Sequence, residues 1–149
     1  MKEPVVTNST CLIALERIEQ LQLLPALFEP IIAPPRVQDE VGISLPWLLV
    51  QPPSSRTTVS ALMLLAGEGE AEAIALAAER RCRVILDDRK ARRIAQQMGL
   101  RLIGTAGVLV KAKRSGIIPV IRPLLDALQA RGFRLSAPLM SEALRLAGE

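Results

Sequence analysis

Short, uninterrupted apolar runs alternate with amphipathic segments along the whole sequence. The apolar runs lie near Val5, Ile31, Val84 and Leu102, and a weaker one includes Leu48. Apolar runs without polar alternation are typical of strands covered on both faces, and strands that alternate with helices are typical of a parallel sheet. The pattern therefore predicts an α/β fold in which helices cover a parallel sheet of four or five short strands.

Boundary signals divide the segments between these runs into helices. Ser9 or Thr10 is placed to cap the first helix, Gly99 to end a basic helix that follows Asp88, and Ser136 to cap the last helix. A short amphipathic helix is predicted through Leu21, Leu24 and Leu27, and the last helix covers 137–147. The other predicted helices are 35–41, a helix beginning at 59–65, 70–80, 106–114 and 119–130.

The length and composition predict one cytoplasmic domain over residues 1–149. A chain of 149 residues has the usual size of a single domain. No apolar run approaches the ~20 residues that span a bilayer, so a membrane is not an expected partner. The beginning of the chain has no apolar stretch of signal-peptide length.

The chain contains no histidine and two cysteines, Cys11 and Cys82, which lie far apart. The absence of histidine excludes Ser-His-Asp and Cys-His catalysis and His-ligated zinc sites. Each cysteine has apolar neighbours, which predicts that both are small buried side chains.

Basic residues are concentrated in one part of the chain. Residues 80–114 contain eleven Lys or Arg and two Asp, a net charge of +9; because the whole chain carries +4, the rest carries −5. Such a concentration favours a polyanion-binding face, and a set of solvated helix faces is the alternative. Because only 2% of the residues are aromatic, binding by stacking of bases is not expected.

Polar residues follow two of the predicted strands. Asn8 comes after the first strand, and Asp87 and Asp88 come after the clearest one. Sites in parallel sheets lie beyond the carboxyl ends of the strands, so these residues are candidates for chemistry. The alternative is that Asp87 and Asp88 only cap the following helix and stabilise its dipole.

Glutamates on two helices are further candidates. Helical spacing places Glu72 near the apolar face of its helix, where a carboxylate needs a partner, whereas Glu70 fits a dipole-stabilising role in the first turn. Glu40 lies between apolar residues of another helix. Clustered carboxylates bind hard divalent cations, which activate water and stabilise charge on phosphate. An acidic pocket beside a basic surface is typical of a metal-dependent nuclease.

Four segments in order resemble a PIN domain: Val-Val-Thr-Asn-Ser-Thr-Cys-Leu-Ile from residue 5, Pro-Pro-Arg-Val-Gln-Asp-Glu-Val from 34, Gly-Glu-Ala-Glu-Ala-Ile-Ala-Leu-Ala from 69 and Val-Ile-Leu-Asp-Asp-Arg from 84. The likeness is to a largely uncharacterised bacterial and archaeal PIN-like group, and some of its members are paired with small antitoxins. It implies a three-layer α/β/α fold and a Mg²⁺- or Mn²⁺-dependent RNA endonuclease. It also implies a toxin role with a small antitoxin as partner, and a homodimer.

The resemblance assigns functional roles to particular residues. The acidic cluster of the family falls on Asn8, Glu40, Glu72 and Asp88 as catalytic and metal-binding residues, with Asp87 as a further metal ligand. The resemblance also matches a hydroxyl residue to Ser9 or Thr10. Together with four residues of the basic stretch, these are the predicted nucleic-acid contacts: Ser9, Thr10, Arg89, Lys90, Arg92 and Arg93.

This chain departs from the family at the first acid. Asn8 stands where the first strand of the family usually ends in Asp. An amide oxygen can bind a hard cation but lacks the charge that holds it. Three hypotheses follow: an active nuclease with three carboxylates, a catalytically weakened RNA- or protein-binding module, and an α/β interaction module whose acids are caps.

The leucines of the last two predicted helices have two interpretations. They fit the core, and a dimer or antitoxin surface is the alternative. The residues concerned are Leu124, Leu125, Leu128, Leu135, Leu139, Leu144 and Leu146.

Overall fold

The computed structural model describes residues 2–149, in which strands and helices alternate along the chain. The strands are β1 (Glu3–Thr7), β2 (Phe28–Ala33), β3 (Leu48–Val50), β4 (Arg83–Ile85) and β5 (Leu102–Ile103). The helices are α1 (Ser9–Arg17), α2 (Leu23–Leu27), α3 (Pro35–Val41), α4 (Arg56–Met63), α5 (Glu68–Arg80), α6 (Arg89–Gln97), α7 (Thr105–Arg114), α8 (Arg122–Ala130) and α9 (Ala137–Leu146).

The five strands form one parallel sheet in the order β3-β2-β1-β4-β5. The central strand β1 pairs with β2 through Val5 and Ile31, and with β4 through Val6 and Val84. The chain builds outwards from β1 to β3 and then crosses back to place β4 on the other side of β1. The carboxyl ends of β1 and β4 therefore form the topological switch point, where open α/β sheets bind ligands.

Helices cover both faces of the sheet. Val5 packs into one apolar cluster with Leu12, Leu109 and Leu125, whereas its neighbour Val6 packs into the other with Ile74. Adjacent strand residues point to opposite faces, and here both faces are buried, as the apolar runs predict. The three-layer α/β/α fold with a parallel sheet of four or five strands is confirmed.

The cap of α1 and the start of α8 differ from their predicted positions. The cap of α1 is Asn8 and not Ser9 or Thr10, because the Asn8 side chain accepts the bond from the Cys11 N–H. The helix predicted over 119–130 begins at Arg122, where Pro123 occupies the first turn. Both cysteines are buried and free, as expected.

The C-terminal leucines divide between core and surface. Leu125, Leu128, Leu135 and Leu144 are buried, which confirms the core interpretation for them. Leu139 and Leu146 of α9 remain 45% and 42% exposed. Among residues 2–149, no helix has both the length and the apolar character needed to cross a membrane.

Candidate functional site

Asn8 links the end of β1 to the start of α1 at the switch point. Its Oδ1 accepts a hydrogen bond from the Cys11 N–H at 3.1 Å, the usual role of Asn at an N-cap. The residue is 3% exposed. Its Nδ2 is buried and has no hydrogen-bond partner among the described residues. One half of the amide is therefore used and the other half is free, although burying an unpaired polar group is costly.

Asp88 and Asp87 contact the starts of two helices on the neighbouring side of the switch point. Asp88 is the N-cap of α6, and its Oδ2 accepts from the Ala91 N–H at 2.9 Å. Asp87 accepts from the Thr105 N–H at 2.8 Å and from the Thr105 hydroxyl at 2.6 Å, at the start of α7. The capping alternative is confirmed for Asp88, whereas Asp87 does not cap α6 and instead accepts from Thr105 of α7. Other lone pairs of each carboxylate remain unused.

The surroundings of Asp87 hold its carboxylate in one position. Burial raises the pKa of Asp87, although the Thr105 hydrogen bonds and the nearby Arg92 oppose that rise. A side chain at Gly104 would place its Cβ 3.1 Å from Asp87 Oδ1, so glycine makes room for the carboxylate. The Arg92 guanidinium donates to the Leu86 carbonyl at 2.6 Å. Arg92 therefore supports the Asp87 turn as well as facing the surface.

Glu72 and Glu70 occupy different surroundings on α5. Glu72 is 7% exposed, and its carboxylate accepts a hydrogen bond from Arg56 of α4 at 3.1 Å. This pair supplies the partner that a buried acid requires. Glu70 instead lies in the first turn of α5 and lines the same cleft as Asp87 and Asp88. The acid at the cleft is thus Glu70, and the predicted Glu72 faces α4.

Glu40 lies on the exposed side of α3, beside the first turn of α5. Its Oε1 is 3.1 Å from the position that a Cβ at Gly69 would occupy, so Gly69 allows this close approach. An ion pair of 3.0 Å between Arg36 and Glu68 also holds α3 against the start of α5. Glu40 of α3 therefore lies against the first turn of α5, the turn that carries Glu70.

Three surface depressions meet at Asp88, which lines all of them. A cleft of about 530 Å³ is lined by Thr10, Glu70, Asp87 and Asp88. It shares Asp87, Asp88 and Arg134 with a groove of about 910 Å³, which lies between α6 and α9. A third depression of about 440 Å³ shares Glu70 and Asp88 with the cleft and includes Lys90. Ser9 lines none of these three, whereas Thr10 faces the cleft.

The predicted basic residues lie along these depressions. Arg89, Arg92 and Arg93 line the groove between α6 and α9, and Lys90 lines the depression beside Glu70. Arg134, which follows α8, stands where the groove joins the cleft, and it was not among the predicted contacts. In the sequence Arg134 stands between Phe133 and Leu135, outside the basic stretch 80–114, so the charge pattern did not single it out.

The donors at the cleft fit a hard divalent cation in chemical type. Glu70, Asp87 and Asp88 line the cleft and offer carboxylate oxygens, the ligands that Mg²⁺ and Mn²⁺ prefer, whereas Glu40 lies beside Gly69 and does not line the cleft. Asn8 is the position that does not fit, because its amide oxygen is occupied as a helix cap and its free atom is a nitrogen donor. Within residues 2–149, no three or more Asp, Glu or Cys side chains are gathered closely enough to form a metal-binding group. The predicted set of metal ligands therefore remains a prediction.

A family model that describes the PIN domain matches residues 4–149. The chain belongs to the PIN-domain family. The resemblance seen in the sequence is thereby confirmed, and the fold is that of PIN-type nucleases. A search of the curated proteins finds no match. The roles of individual residues in this PIN domain must therefore be argued from its own geometry.

Proposed function

We propose that this PIN domain is a Mg²⁺- or Mn²⁺-dependent RNA endonuclease whose acidic site includes Glu70 in the place predicted for Glu72. The observation that supports the proposal is the meeting of Glu70, Asp87 and Asp88 in one cleft at the switch point. That cleft continues into an arginine-lined groove. Acids and arginines in adjoining depressions suit a substrate whose phosphates need charge neutralisation close to the cleavage point.

Glu40, Glu70 and Asp88 are the residues that would hold the ion, with Asp87 as a further oxygen donor. A bound Mg²⁺ or Mn²⁺ supplies a more acidic water and neutralises negative charge on phosphate. Asp88 retains Oδ1 for this purpose, since its Oδ2 caps α6. We leave Glu72 out of this set, because its carboxylate already pairs with Arg56 at 3.1 Å.

The remaining polar side chains would position the RNA. Arg89, Arg93 and Arg134 line the groove and are placed to bind backbone phosphates. Thr10 presents a hydroxyl at the cleft. Asp87, held by Thr105, fixes the start of α7 and the floor of the site.

A second candidate function is an RNA-binding PIN module with weak or no turnover, and the Asn8 amide favours it. With Oδ1 bound to the Cys11 N–H, the atom left for the site is Nδ2, which has no lone pair for a metal. Turning the amide over would place Nδ2 against the Cys11 N–H, a contact between two donors. An aspartate has two oxygens, so one can cap α1 while the other binds an ion. Asn8 has a single side-chain oxygen, and that oxygen already caps α1.

The proposal extends to the cellular setting that the family implies. We place the protein in the cytoplasm as the toxin of a toxin–antitoxin pair and as a homodimer. The half-exposed Leu139 and Leu146 on the groove wall offer an apolar strip to a small antitoxin.

An RNA cleavage assay with Mn²⁺ tests the function. Glu70→Gln and Asp88→Asn are expected to lower the cleavage rate at least about 100-fold, since even outer-shell changes at metal sites cost 10–100-fold. Glu72→Gln is the matched control: it is expected to lower the free energy of unfolding while the folded protein still cleaves. If Glu72→Gln abolishes cleavage in folded protein and Glu70→Gln does not, the assignment to Glu70 is wrong.

Asn8→Asp decides between the two candidate functions. A wild-type protein that cleaves RNA supports the nuclease. An inactive wild type that gains cleavage through Asn8→Asp supports the weakened binding module. If neither protein cleaves RNA or binds it, both candidates are wrong.

A further inference from the structure

A second basic surface lies at the amino ends of the strands, on the opposite edge of the sheet from the cleft. It brings together the end of α5, the starts of β4 and β5, and the middle of α7. Pairing of Val5 with Arg83, and of Val84 with Leu102, places these strand starts side by side. We call this surface the amino-end patch; its residues are Arg80, Arg81, Arg83, Arg101 and Lys111.

One acid, Glu3, is paired with this group of cations. Its carboxylate oxygens lie 3.5 Å from Arg83, 3.4 Å from Arg101 and 3.6 Å from Lys111. Glu79, which precedes Arg80 and interacts with its charge, is a second acid beside the patch, so five cations and two acids give a formal charge of +3. Glu3 joins β1 to its neighbours but leaves most of the positive charge uncompensated.

Arg80 and Arg81 are not used by this pairing. Both are exposed, and their side chains make no hydrogen bond or ion pair with any other residue in the described range 2–149. Arg81 has φ +53° at the C-cap of α5, the left-handed conformation in which glycine is favoured. An arginine there strains the backbone without an internal contact in return. Strained positions of this kind concentrate at functional sites.

The cations of α6 lie in its first half, Arg89–Arg93, and an uncharged segment, 94–100, separates them along the chain from Arg101 of the patch. Helix α6 begins at the cleft with Asp88 and runs back towards the amino ends of the strands, where Arg101 follows. No Asp or Glu occurs between Arg89 and Leu125. The five residues of β1 span about 17 Å, so a single phosphate cannot touch both places. A ligand that uses both must be an extended polyanion.

We propose that the amino-end patch is a second RNA-binding surface, on which the backbone phosphates of a single strand bind after that strand leaves the cleft along α6. The inference rests on the proposed function in that RNA is the ligand of the cleft, but it requires no cleavage. Arg80, Arg81 and Arg101 make the contacts, since they are the most exposed cations of the patch. Recognition is of phosphate, because the aromatic ring beside the patch, Phe28, is buried beneath Lys111.

The test is the salt dependence of RNA binding by the full chain, measured with EDTA so that no metal-dependent cleavage occurs. Arg80→Gln combined with Arg81→Gly removes two phosphate contacts. The slope of log K against log salt for a long single-stranded RNA is expected to fall by about 1.4, at ~0.7 per contact. A short oligonucleotide that fills only the cleft is expected to bind the variant and the wild type equally.

Arg81→Gly alone is expected to change thermal stability and RNA binding in opposite directions. Glycine relieves the left-handed strain, so the midpoint of thermal unfolding is expected to rise by about 2–4 °C while binding of long RNA weakens. Glu19→Gly is the matched control, because Glu19 has φ +57° and is exposed. It should stabilise the fold without reducing the salt slope.

Two outcomes would overturn the inference. One is an unchanged salt slope for long RNA in the double variant, and the other is an equal loss of binding for long and short RNA. A wild type that binds long RNA through the patch but cleaves nothing would leave this inference standing while the nuclease proposal failed.

Discussion

At the scale of single residues, Asn8 is the departure from the family that bears most directly on the proposed metal site. Its amide caps α1 with the oxygen and buries a nitrogen that has no partner in the described part of the chain. Burial raises the pKa of the Cys11 thiol next to this cap, and the nearby negative charge of Asp87 adds to that rise. A carboxylate at position 8 would therefore be buried beside another carboxylate, which is unfavourable unless a cation lies between them.

Asn8→Asp is expected to make folding stability depend on Mn²⁺. Without metal, the variant should unfold at a lower temperature than the wild type, because a second buried charge is added. Mn²⁺ at 100 times its dissociation constant should add about 2.7 kcal/mol to the variant and much less to the wild type. Thermal unfolding with EDTA and with Mn²⁺ measures both. Asn8→Ser, which keeps a cap without a charge, is the control. Equal Mn²⁺ shifts in all three proteins would contradict the expectation.

Gly69→Ala is expected to raise folding stability while it lowers the rate of RNA cleavage. Alanine in a helix is about 0.5–1 kcal/mol more favourable than glycine. Its Cβ would lie 3.1 Å from Glu40 Oε1, and this exposed carboxylate can move away. We therefore expect a higher unfolding midpoint and slower RNA cleavage. Combining Gly69→Ala with Glu40→Gln should cost no more activity than Glu40→Gln alone, since both act on one carboxylate. Additive losses would show that Gly69 acts by another route.

At the scale of elements, the position of α5 depends on a carboxylate at its far end. Both oxygens of Glu79 accept from the Ser54 N–H, at 2.7 and 3.0 Å, and one accepts from the Ser55 N–H at 3.0 Å. Ser55 is also the N-cap of α4, so this contact ties α5 to the start of α4. Although desolvation acts to raise the pKa of Glu79, these hydrogen bonds lower it overall.

Glu79→Gln is expected to destabilise the protein in a pH-dependent way. Because the folded pKa lies below the ordinary value of 4.5, the ionised group contributes stability above that pH and loses it as the pH falls through the folded pKa. The variant should unfold about 1 kcal/mol more easily at pH 7, a modest cost because the site is exposed. Chemical denaturation at pH 7 and at pH 3 should show the difference shrinking. A constant difference would mean that the charge of Glu79 is not involved.

The elements were predictable from sequence to a greater extent than the site. Apolar runs and caps locate the strands, because burial on both faces and helix starts depend on local residues. The burial of Glu72 was also predictable from helical spacing. That its partner would be Arg56 was not, because the contact depends on how α4 packs on α5. Glu70 reaches the cleft because α5 begins at the carboxyl edge of the sheet, a tertiary fact that a first-turn acid does not reveal.

At the scale of the whole molecule, charge is arranged around the sheet in a way that suits a phosphate backbone more than a base sequence. Acids meet at the carboxyl edge, cations follow on the first half of α6, and a second group of cations forms the amino-end patch. The aromatic residues offer little stacking surface: Phe28 is buried, Trp47 lies beside β3, and Phe133 alone lines the cleft. The affinity for RNA should therefore come mainly from the release of counterions from its phosphates.

Single-stranded poly(U) and poly(A) of equal length are consequently expected to bind with similar affinities. Stacking is worth about 1–3 kcal/mol per base, so one aromatic ring limits the discrimination that stacking can supply. Both affinities should fall linearly with salt on logarithmic axes and with the same slope, because the phosphates are the same. Phe133→Leu should weaken binding of both polymers without changing that slope. A large preference for one polymer that persists at high salt would show that base edges are recognised in the groove between α6 and α9. The cations of α6 would then serve mainly to bring RNA to that groove.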